Sequence, residues 1–339
     1  MSQEAVILEL YQDFSCMAGA CPTTCCSGWK IVVDQKAYER FSAIEPVWLR
    51  DRILENIVTK GDMHEFRHRP GGDCAMLEKD GLCTIQKHAG EEALCNTCRK
   101  FPRLIGKVHR DGQEQTWISM AASCPVVAGY LWRGEGEVCV IRDHGRSSLA
   151  QTVWFAPYRR KLEALLEESV LERFGRRIQY TYDLAERVAD LLVRYPERKY
   201  LPGSLDFYEQ EMPEIGELAG SLLEFEEAYG TEWKRFVLRY FDWRMFTLTL
   251  EDAVHTETMS GMKDGKSPDI LRDADRIHCA QTFGELKLLF TILFSRFAVS
   301  GSLTEPQILE AIDWVYRLCA HGKVLSRNMT QIFINIFEL

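Results

Sequence analysis

The sequence lacks the features that mark exported, membrane-embedded or nucleic-acid-binding proteins. Its first residues, MSQEAVILELYQDF, contain acidic side chains and only a short apolar run, so we expect no signal peptide. The most apolar later stretch, LKLLFTILFSRFAV, is too short to span a bilayer and is interrupted by Lys287 and Arg296, which favours a buried helix. The net charge of −9 argues against a broad basic surface. We therefore predict a cytoplasmic protein that binds neither nucleic acid nor membrane.

Composition and patterning predict an α+β protein that is mainly helical. The 339 residues are 46% apolar and 27% charged, as in a globular chain with one large or two smaller domains. Near residue 145 a polar, glycine-containing stretch is followed by apolar residues at helical spacing. We therefore expect a cysteine-rich metal-binding domain of short strands and helices over 1–145 and a helical bundle over 146–339. Expected strands are 29–34 and 115–120, and 74–86 is expected to form a hairpin that turns at Asp80–Gly81. Expected helices are 35–44, 123–132, 158–174, 182–195, 233–254, 274–298 and 306–320, with a loop over 201–216.

Twelve cysteines are the strongest chemical signal. Nine lie within the first 124 residues, in the order Cys16-x4-Cys21-x3-Cys25-Cys26, Cys74, Cys83, Cys95-x2-Cys98 and Cys124. A reducing cytosol disfavours structural disulfides but preserves sites where thiolates bind metal. The remaining three, Cys139, Cys279 and Cys319, are typical of small buried side chains. The N-terminal cluster predicts a metal site, and its spacing suits zinc and an iron–sulfur cluster alike.

Local geometry limits how these thiols can combine. Cys25 and Cys26 rarely bridge each other because they are adjacent, but a tight loop can aim both at metal, or one at metal and one at the core. A two-residue turn at Asp80–Gly81 places Cys83 opposite Glu78, and an ideal strand then leaves Cys74 roughly 13 Å away. Either the chain bends at 71–73 or the two cysteines serve separate roles; we favour the bend, with Cys83 the safer ligand.

The later cysteines lie near helix ends and positive charge. Cys124 is expected at a helix N-terminus, where the dipole and free amides favour its thiolate. Cys95 and Cys98 are spaced to share one helix face. The run 98–110 contains basic residues and no acid, so it would either offset anionic thiolates or form a solvated loop. Its basic residues are Arg99, Lys100, Arg103, Lys107 and Arg110.

In this order the cysteine-bearing segments resemble flagellin lysine-N-methylases of the FliB type. The matching pieces are F-x-C-x4-C-x3-C-C-x-G-W (14–29), C-x2-L (74–77), D-G-L-C-x-I-Q (80–86), C-R-K-F-P-R (98–103) and S-C-P (123–125). The C-x3-C-C, G-x-C and C-R-x-F-P elements also resemble YkgJ-like zinc- or iron-chelating domains. The matching set covers residues 11–130 and is specific as a combination.

The resemblance implies an enzyme that transfers methyl groups from S-adenosylmethionine to lysine side chains of flagellin, with a bound iron–sulfur cluster, most simply 4Fe-4S. The positions carried over as metal ligands are Cys16, Cys21, Cys25, Cys26, Cys74, Cys83, Cys98 and Cys124, whereas Cys95 falls outside the family pattern. The C-x3-C-x2-C spacing of radical enzymes is absent, because Gly28 stands at its third position. No strand-borne G-x-G-x-x-G is present either. The sequence therefore locates neither the methyl-donor site nor a catalytic residue.

Two other interpretations compete. HEFRH (64–68) matches the H-E-x-x-H motif of zinc proteases, but 61 and 70–72 carry glycine or proline and leave little room for a helix. The other alternative is a non-catalytic, zinc-stabilised protein-interaction module. Aromatic residues over 233–246 would then line a groove, although such a stripe is more typical of a core.

Overall fold

A computed structural model of the chain describes residues 5–110, 113–142, 145–152, 155–167, 215–259 and 268–321. The predicted helix over 182–195 lies outside these residues, as does the predicted loop over 201–216 except for its last two positions. Within them the chain is α+β and mainly helical with two small sheets, which confirms the predicted fold class.

The elements are numbered in chain order. The strands are β1 (Ala5–Leu8), β2 (Val32–Val33), β3 (Ile57–Lys60), β4 (Met63–Phe66), β5 (Arg103–Arg110), β6 (Gln113–Met120), β7 (Cys139–Arg142) and β8 (Gly145–Ser148). The helices are α1 (Leu10–Asp13), α2 (Gln35–Ser42), α3 (Val47–Glu55), α4 (Thr84–Ala89), α5 (Asn96–Lys100), α6 (Pro125–Arg133), α7 (Ala156–Glu167), α8 (Ile215–Met259), α9 (Pro268–Ser300) and α10 (Glu305–His321).

The larger sheet has the order β5-β6-β1-β7-β8. β1 runs parallel to β6, with Ile7 opposite Ile118, and antiparallel to β7, with Ile7 opposite Ile141. β5 and β6 pair antiparallel over their whole length, which confirms the strand predicted at 115–120. On β6, Trp117 is buried and stacks on Phe246 of α8 with ring centres 4.5 Å apart. The sheet therefore packs directly on the bundle.

The smaller sheet, β2-β4-β3, shares a separate core with α2 and α3. Asp34 precedes α2, and its carboxylate accepts a hydrogen bond from the Ala37 amide at 3.1 Å, so the predicted N-cap is confirmed. The other carboxylate oxygen accepts from the Asn96 amide at 2.8 Å, which ties the start of α5 to the start of α2. The strand predicted over 29–34 contains only Val32–Val33.

The turn before α4 is one residue longer than predicted. Leu77, not Glu78, lies opposite Cys83, and the Glu78 amide donates to the Leu82 carbonyl at 2.8 Å. The loop therefore holds three residues, and Gly81 ends it at φ +78°, a conformation that favours glycine. The predicted bend at 71–73 is present, because residues 71 and 72 are glycines with positive φ.

Helices α7 to α10 confirm four of the helices predicted beyond residue 145, and α8 and α9 extend beyond the predicted limits. The aromatic residues of 233–246 belong to the core, since none of the six is more than 5% exposed. They are Trp233, Phe236, Tyr240, Phe241, Trp243 and Phe246. In the described part of the chain, no helix has the length and apolar character needed to cross a membrane.

The larger hydrophobic core draws on both sides of residue 145. It combines Val6 and Trp117 of the sheet and Val127 of α6 with Phe241 and Val315 of the bundle. The smaller core draws on residues 26–95. The division of the chain into domains at 145 stays a prediction.

Candidate metal centre

The first cysteines lie on a loop that begins with a short helical turn. This 3-10 turn, Ala18–Ala20, separates Cys16 from Cys21. The Ala18 amide donates a hydrogen bond to the Cys16 sulfur at 3.3 Å, and the Cys21 thiol donates to the Thr23 carbonyl. Cys16 is exposed and Cys21 is half-buried, so both thiols lie near the molecular surface.

Cys25 and Cys26 have different surroundings although they are adjacent. Cys26 is buried in the smaller core, and its amide donates to Thr24 Oγ1 at 3.0 Å. Cys25 is exposed, and its carbonyl accepts from Trp29 Nε1 at 2.7 Å. A hydrogen bond between the two thiols lowers the pKa of Cys25 to about 7 and raises the pKa of Cys26. Cys25 is therefore the more acidic thiol of the pair.

The smaller core brings together five cysteines, called here the buried thiol set: Cys26, Cys74, Cys83, Cys95 and Cys98. The Cys74 amide donates to the Cys26 carbonyl at 2.6 Å, and Cys95 is the N-cap residue of α5. A hydrogen bond between the thiols of Cys95 and Cys98 lowers the pKa of Cys95 and raises that of Cys98. Burial raises the pKa of Cys74 to about 12 and also raises that of Cys83. The charge of Cys83 further raises the pKa of three members, so these sulfurs lie within electrostatic range.

Three other cysteines form the outer thiol set: Cys16, Cys21 and Cys124. Cys124 is the N-cap residue of α6, which confirms the predicted helix start. Burial raises the pKa of Cys124 to about 11, the first amides of α6 lower it only in part, and the charges of Cys21 and Cys16 raise it further. The amides at the helix N-terminus thus favour the Cys124 thiolate as predicted, but burial outweighs them, so the pKa is raised overall. Burial likewise raises the pKa of Cys21, and the charge of Cys25 adds to this.

Within the described ranges, no three His, Cys, Asp or Glu side chains are arranged so that they could hold a metal ion. The donor chemistry of the two sets nevertheless fits a thiophilic metal. Neighbouring thiolates repel one another, and a bound cation would stabilise them together by replacing their protons. Zinc and iron–sulfur clusters both use such sulfur donors. Binding either group would require the sulfurs to move closer together.

Arg317 of α10 joins the cysteine loop to the helical bundle. Its Nη1 donates to the Ser27 carbonyl at 2.8 Å, and its Nη2 lies 3.3 Å from the Thr24 carbonyl oxygen and 3.4 Å from that of Ser123. Asp313, one turn earlier on α10, accepts from Nε at 2.5 Å. One side chain therefore fixes the loop that carries the adjacent cysteines against the segment that leads into α6.

Arg317 also contributes charge, and sequence reasoning missed it. Its positive charge lowers the pKa of Cys25, in addition to the larger effect of the thiol–thiol hydrogen bond. Burial raises the pKa of Asp313 to about 6, and the arginine opposes that shift. The available signal was a basic residue inside the apolar helix sequence WVYRLCA. Nothing local showed that its partners lie some 290 positions earlier in the chain.

The basic run 98–110 is not a solvated loop, because it contributes to α5 and β5. Three of its cations form salt bridges with acidic side chains. These pairs are Arg99 with Glu92 at 3.1 Å, Lys107 with Glu114 at 2.7 Å, and Arg110 with Asp275 at 2.7 Å. The positive charges of these three residues are therefore paired with nearby carboxylates. The salt bridge of Arg110 with Asp275 also joins β5 to α9.

The H-E-x-x-H match does not form a zinc-protease helix. His64 lies on β4 and His68 follows this strand in a bridge with Cys74, so the two rings are spaced along extended chain by roughly 13 Å. The His64 ring stacks on Tyr38 with centres 4.0 Å apart and hydrogen-bonds to Thr59 Oγ1 at 2.8 Å. His64 therefore packs against the smaller sheet and α2, whereas His68 is exposed.

The fold and its thiol sets define a cysteine-rich α+β protein with a helical bundle, and comparisons with known proteins narrow this class. The chain is 34% identical over 123 residues to the flagellar biosynthetic protein FliU of Salmonella muenchen, which covers 35% of this chain and 70% of that protein. It is 33% identical over 123 residues to lysine-N-methylases of Salmonella typhimurium and Salmonella choleraesuis. Those matches cover 35% of this chain and 30% of each methylase. No protein-family model and no solved structure matches the chain.

The chain therefore belongs to the flagellin lysine-N-methylase family, as the cysteine motifs predicted. The match spans less than a third of the length of the relatives named lysine-N-methylase. The structure also places Cys95, which lies outside the family pattern as stated above, in the buried thiol set beside Cys98.

Proposed function

We propose that this protein is an S-adenosylmethionine-dependent lysine N-methyltransferase that acts on flagellin and holds an iron–sulfur cluster in its N-terminal cysteines. The observation that carries the proposal is the convergence of cysteines from separate segments into two sets, in a chain whose relatives include proteins named lysine-N-methylase. A cytoplasmic location belongs to the same proposal, because a reducing compartment keeps these thiols available for metal.

The cluster ligands would come from Cys16, Cys21, Cys25, Cys26, Cys74, Cys83, Cys98 and Cys124, and proximity adds Cys95 to these candidates. When bound, such a cluster supplies thiolate-ligated iron that can exchange an electron and bind a further ligand. The chain's own contribution is to hold the thiols. The smaller core surrounds the buried thiol set, and Arg317 fixes the loop that carries Cys25 and Cys26 against the segment that precedes Cys124.

The methyl acceptor imposes a second requirement. A lysine ammonium has a pKa near 10.4, so the enzyme must remove water from it or supply a base before the nitrogen can attack a methyl group. The protein must therefore bind the substrate lysine in a partly desolvated position. Zinc in place of iron would instead support the alternative of a non-catalytic, zinc-stabilised interaction module.

The test is to purify the protein without oxygen, measure its iron and zinc, and incubate it with S-adenosylmethionine and flagellin. We expect bound iron, broad absorbance near ~400 nm, and methyl-sized mass increments on flagellin lysines. The Cys139→Ser variant is the matched control, because Cys139 lies outside both thiol sets and should leave these results unchanged. Colourless protein with stoichiometric zinc would overturn the cluster, and iron-loaded protein that methylates no flagellin would overturn the methylase.

A further inference from the structure

Arg103 is held differently from the paired cations of the basic run. Its guanidinium carbon lies 5.2 Å from the centre of the Phe14 ring and 5.6 Å from that of the Tyr11 ring. Its side chain is half-buried, and across the described residues it forms neither a salt bridge nor a hydrogen bond. Aromatic rings, and not a carboxylate, therefore position this guanidinium.

Arg103 also stands where the outer thiol set is assembled. The carbonyl that precedes it accepts a hydrogen bond from the Ala121 amide at 2.7 Å, and the Ala121 carbonyl accepts from the Cys124 amide at 3.1 Å. On its other side Phe14 precedes Cys16 by two residues. The arginine thus contacts one of the segments that carry the outer thiols and is joined through backbone hydrogen bonds to another.

The way Arg103 is held suits it to bind an anion. A cation–π contact uses the face of the guanidinium and leaves its N–H donors available, and these donors match the two oxygens of a carboxylate. The two rings restrict the side chain before any ligand arrives, which lowers the entropy lost on binding. Partial burial strengthens the charge-assisted hydrogen bonds that such a ligand would accept.

We propose that Arg103 binds the carboxylate of the amino-acid portion of S-adenosylmethionine, beside the outer thiol set. This inference rests on the proposed function, since it takes the methyl donor as the ligand. The donor's carboxylate would then lie at the start of β5, next to Tyr11 of α1 and Phe14. Arg103 acts there as a binding residue that orients the donor.

The test measures equilibrium binding of S-adenosylmethionine and of its decarboxylated analogue to anaerobically purified full-length protein. The variants are Arg103→Gln and Arg103→Lys, and Lys107→Gln is the matched control because it removes one positive charge from the same strand. We expect Arg103→Gln to weaken binding of S-adenosylmethionine by about tenfold to a hundredfold, the range of a charge-assisted hydrogen bond. Arg103→Lys should recover part of this loss and Lys107→Gln should have little effect.

The analogue separates a direct contact from a change in packing. Because it lacks the carboxylate, wild-type protein should bind it more weakly, and Arg103→Gln should bind it as well as wild type does. If Arg103→Gln weakens the binding of both ligands equally, or of neither, the role assigned to Arg103 is wrong. The proposed function is unaffected by that outcome. Wild-type protein that binds no S-adenosylmethionine overturns the proposed function and this site together.

Discussion

At the scale of single residues, the loop 16–29 assigns different environments to neighbouring thiols. Cys26 lies in the smaller core and Cys25 is exposed, so one backbone turn places the two residues in different surroundings although their thiols are hydrogen-bonded to each other. The position of that turn depends on Arg317, which bonds to the carbonyls of Thr24 and Ser27 on either side of the pair. The geometry of both thiol sets thus depends on a residue of the helical bundle.

Replacing Arg317 should therefore destabilise the protein more than replacing a surface arginine does. Arg317→Gln removes charge-assisted hydrogen bonds to three carbonyls and leaves the buried Asp313 carboxylate unpaired, so we expect the free energy of unfolding to fall by about 2 kcal/mol or more. Urea unfolding measures this. The control is Arg133→Gln on α6. It breaks an exposed salt bridge to Glu305, which lies on α10 as Arg317 does, and it should cost about 0.5 kcal/mol or less. Equal losses in the two variants would contradict the role assigned to Arg317.

At the scale of elements, the sequence predicted those helix starts that depend on neighbouring residues alone. Asp34 before α2 and Pro125 in the first turn of α6 lie where positional preferences at helix starts place them. The strand predicted over 29–34 contains only Val32–Val33, and on the edge of β2 the Val32 carbonyl accepts a hydrogen bond from the Thr97 side chain of α5 at 2.7 Å. No pattern in the sequence predicts such a contact between distant segments.

The candidate site shows the same division between local and non-local information. Spacing and clustering identified the cysteines, and the pair Cys95 and Cys98 could be placed on one helix end. Which thiols lie in the smaller core was not predictable from spacing, and neither was the position of Cys25, whose charge raises the pKa of Cys21 in the outer set and of Cys83 in the buried set. The turn over 79–81 was misjudged by one residue for a related reason: the pairing of Leu77 with Cys83 forms together with the surrounding core.

If the two thiol sets are separate, substitutions in α5 and at α6 should have different effects. Cys98→Ser should reduce bound metal and lower hydrogen-exchange protection across 26–98, because metal binding and folding of the smaller core are coupled. Cys124→Ser should instead lower protection in 16–25 and at the start of α6. Hydrogen exchange with mass spectrometry and metal analysis distinguish these patterns, with Cys139→Ser as the unaffected control. Identical exchange profiles for the first two variants would show that the sets form one unit.

At the scale of the whole molecule, the larger sheet and the bundle are joined by polar contacts as well as by their shared core. Trp243 of α8 donates from Nε1 to the Met120 carbonyl at 3.1 Å, and Thr247 and Ser119 share a hydrogen bond between their hydroxyls at 2.7 Å. Both contacts lie at the end of β6, just before the chain segment that leads to Cys124 of the outer thiol set. The bundle therefore holds the end of β6, which leads to Cys124. A loss of stability in the bundle should for this reason also affect the position of that cysteine.

The bundle depends in turn on a buried ion pair. Arg244 donates from Nε and Nη2 to the two carboxylate oxygens of Glu285 at 2.8 and 2.9 Å, and both side chains are 0% exposed. Arg244→Met should lower the free energy of unfolding by about 3–5 kcal/mol, because it leaves the Glu285 carboxylate buried without its cation. Urea unfolding checks this, with the pair of exposed Arg146 and Glu9 as a control in which Arg146→Gln should change the stability far less. The double variant Arg244→Met, Glu285→Met should lose less than the sum of the two single losses, since it removes both charges together. Strict additivity would show that the pair does not hold the bundle together in this way.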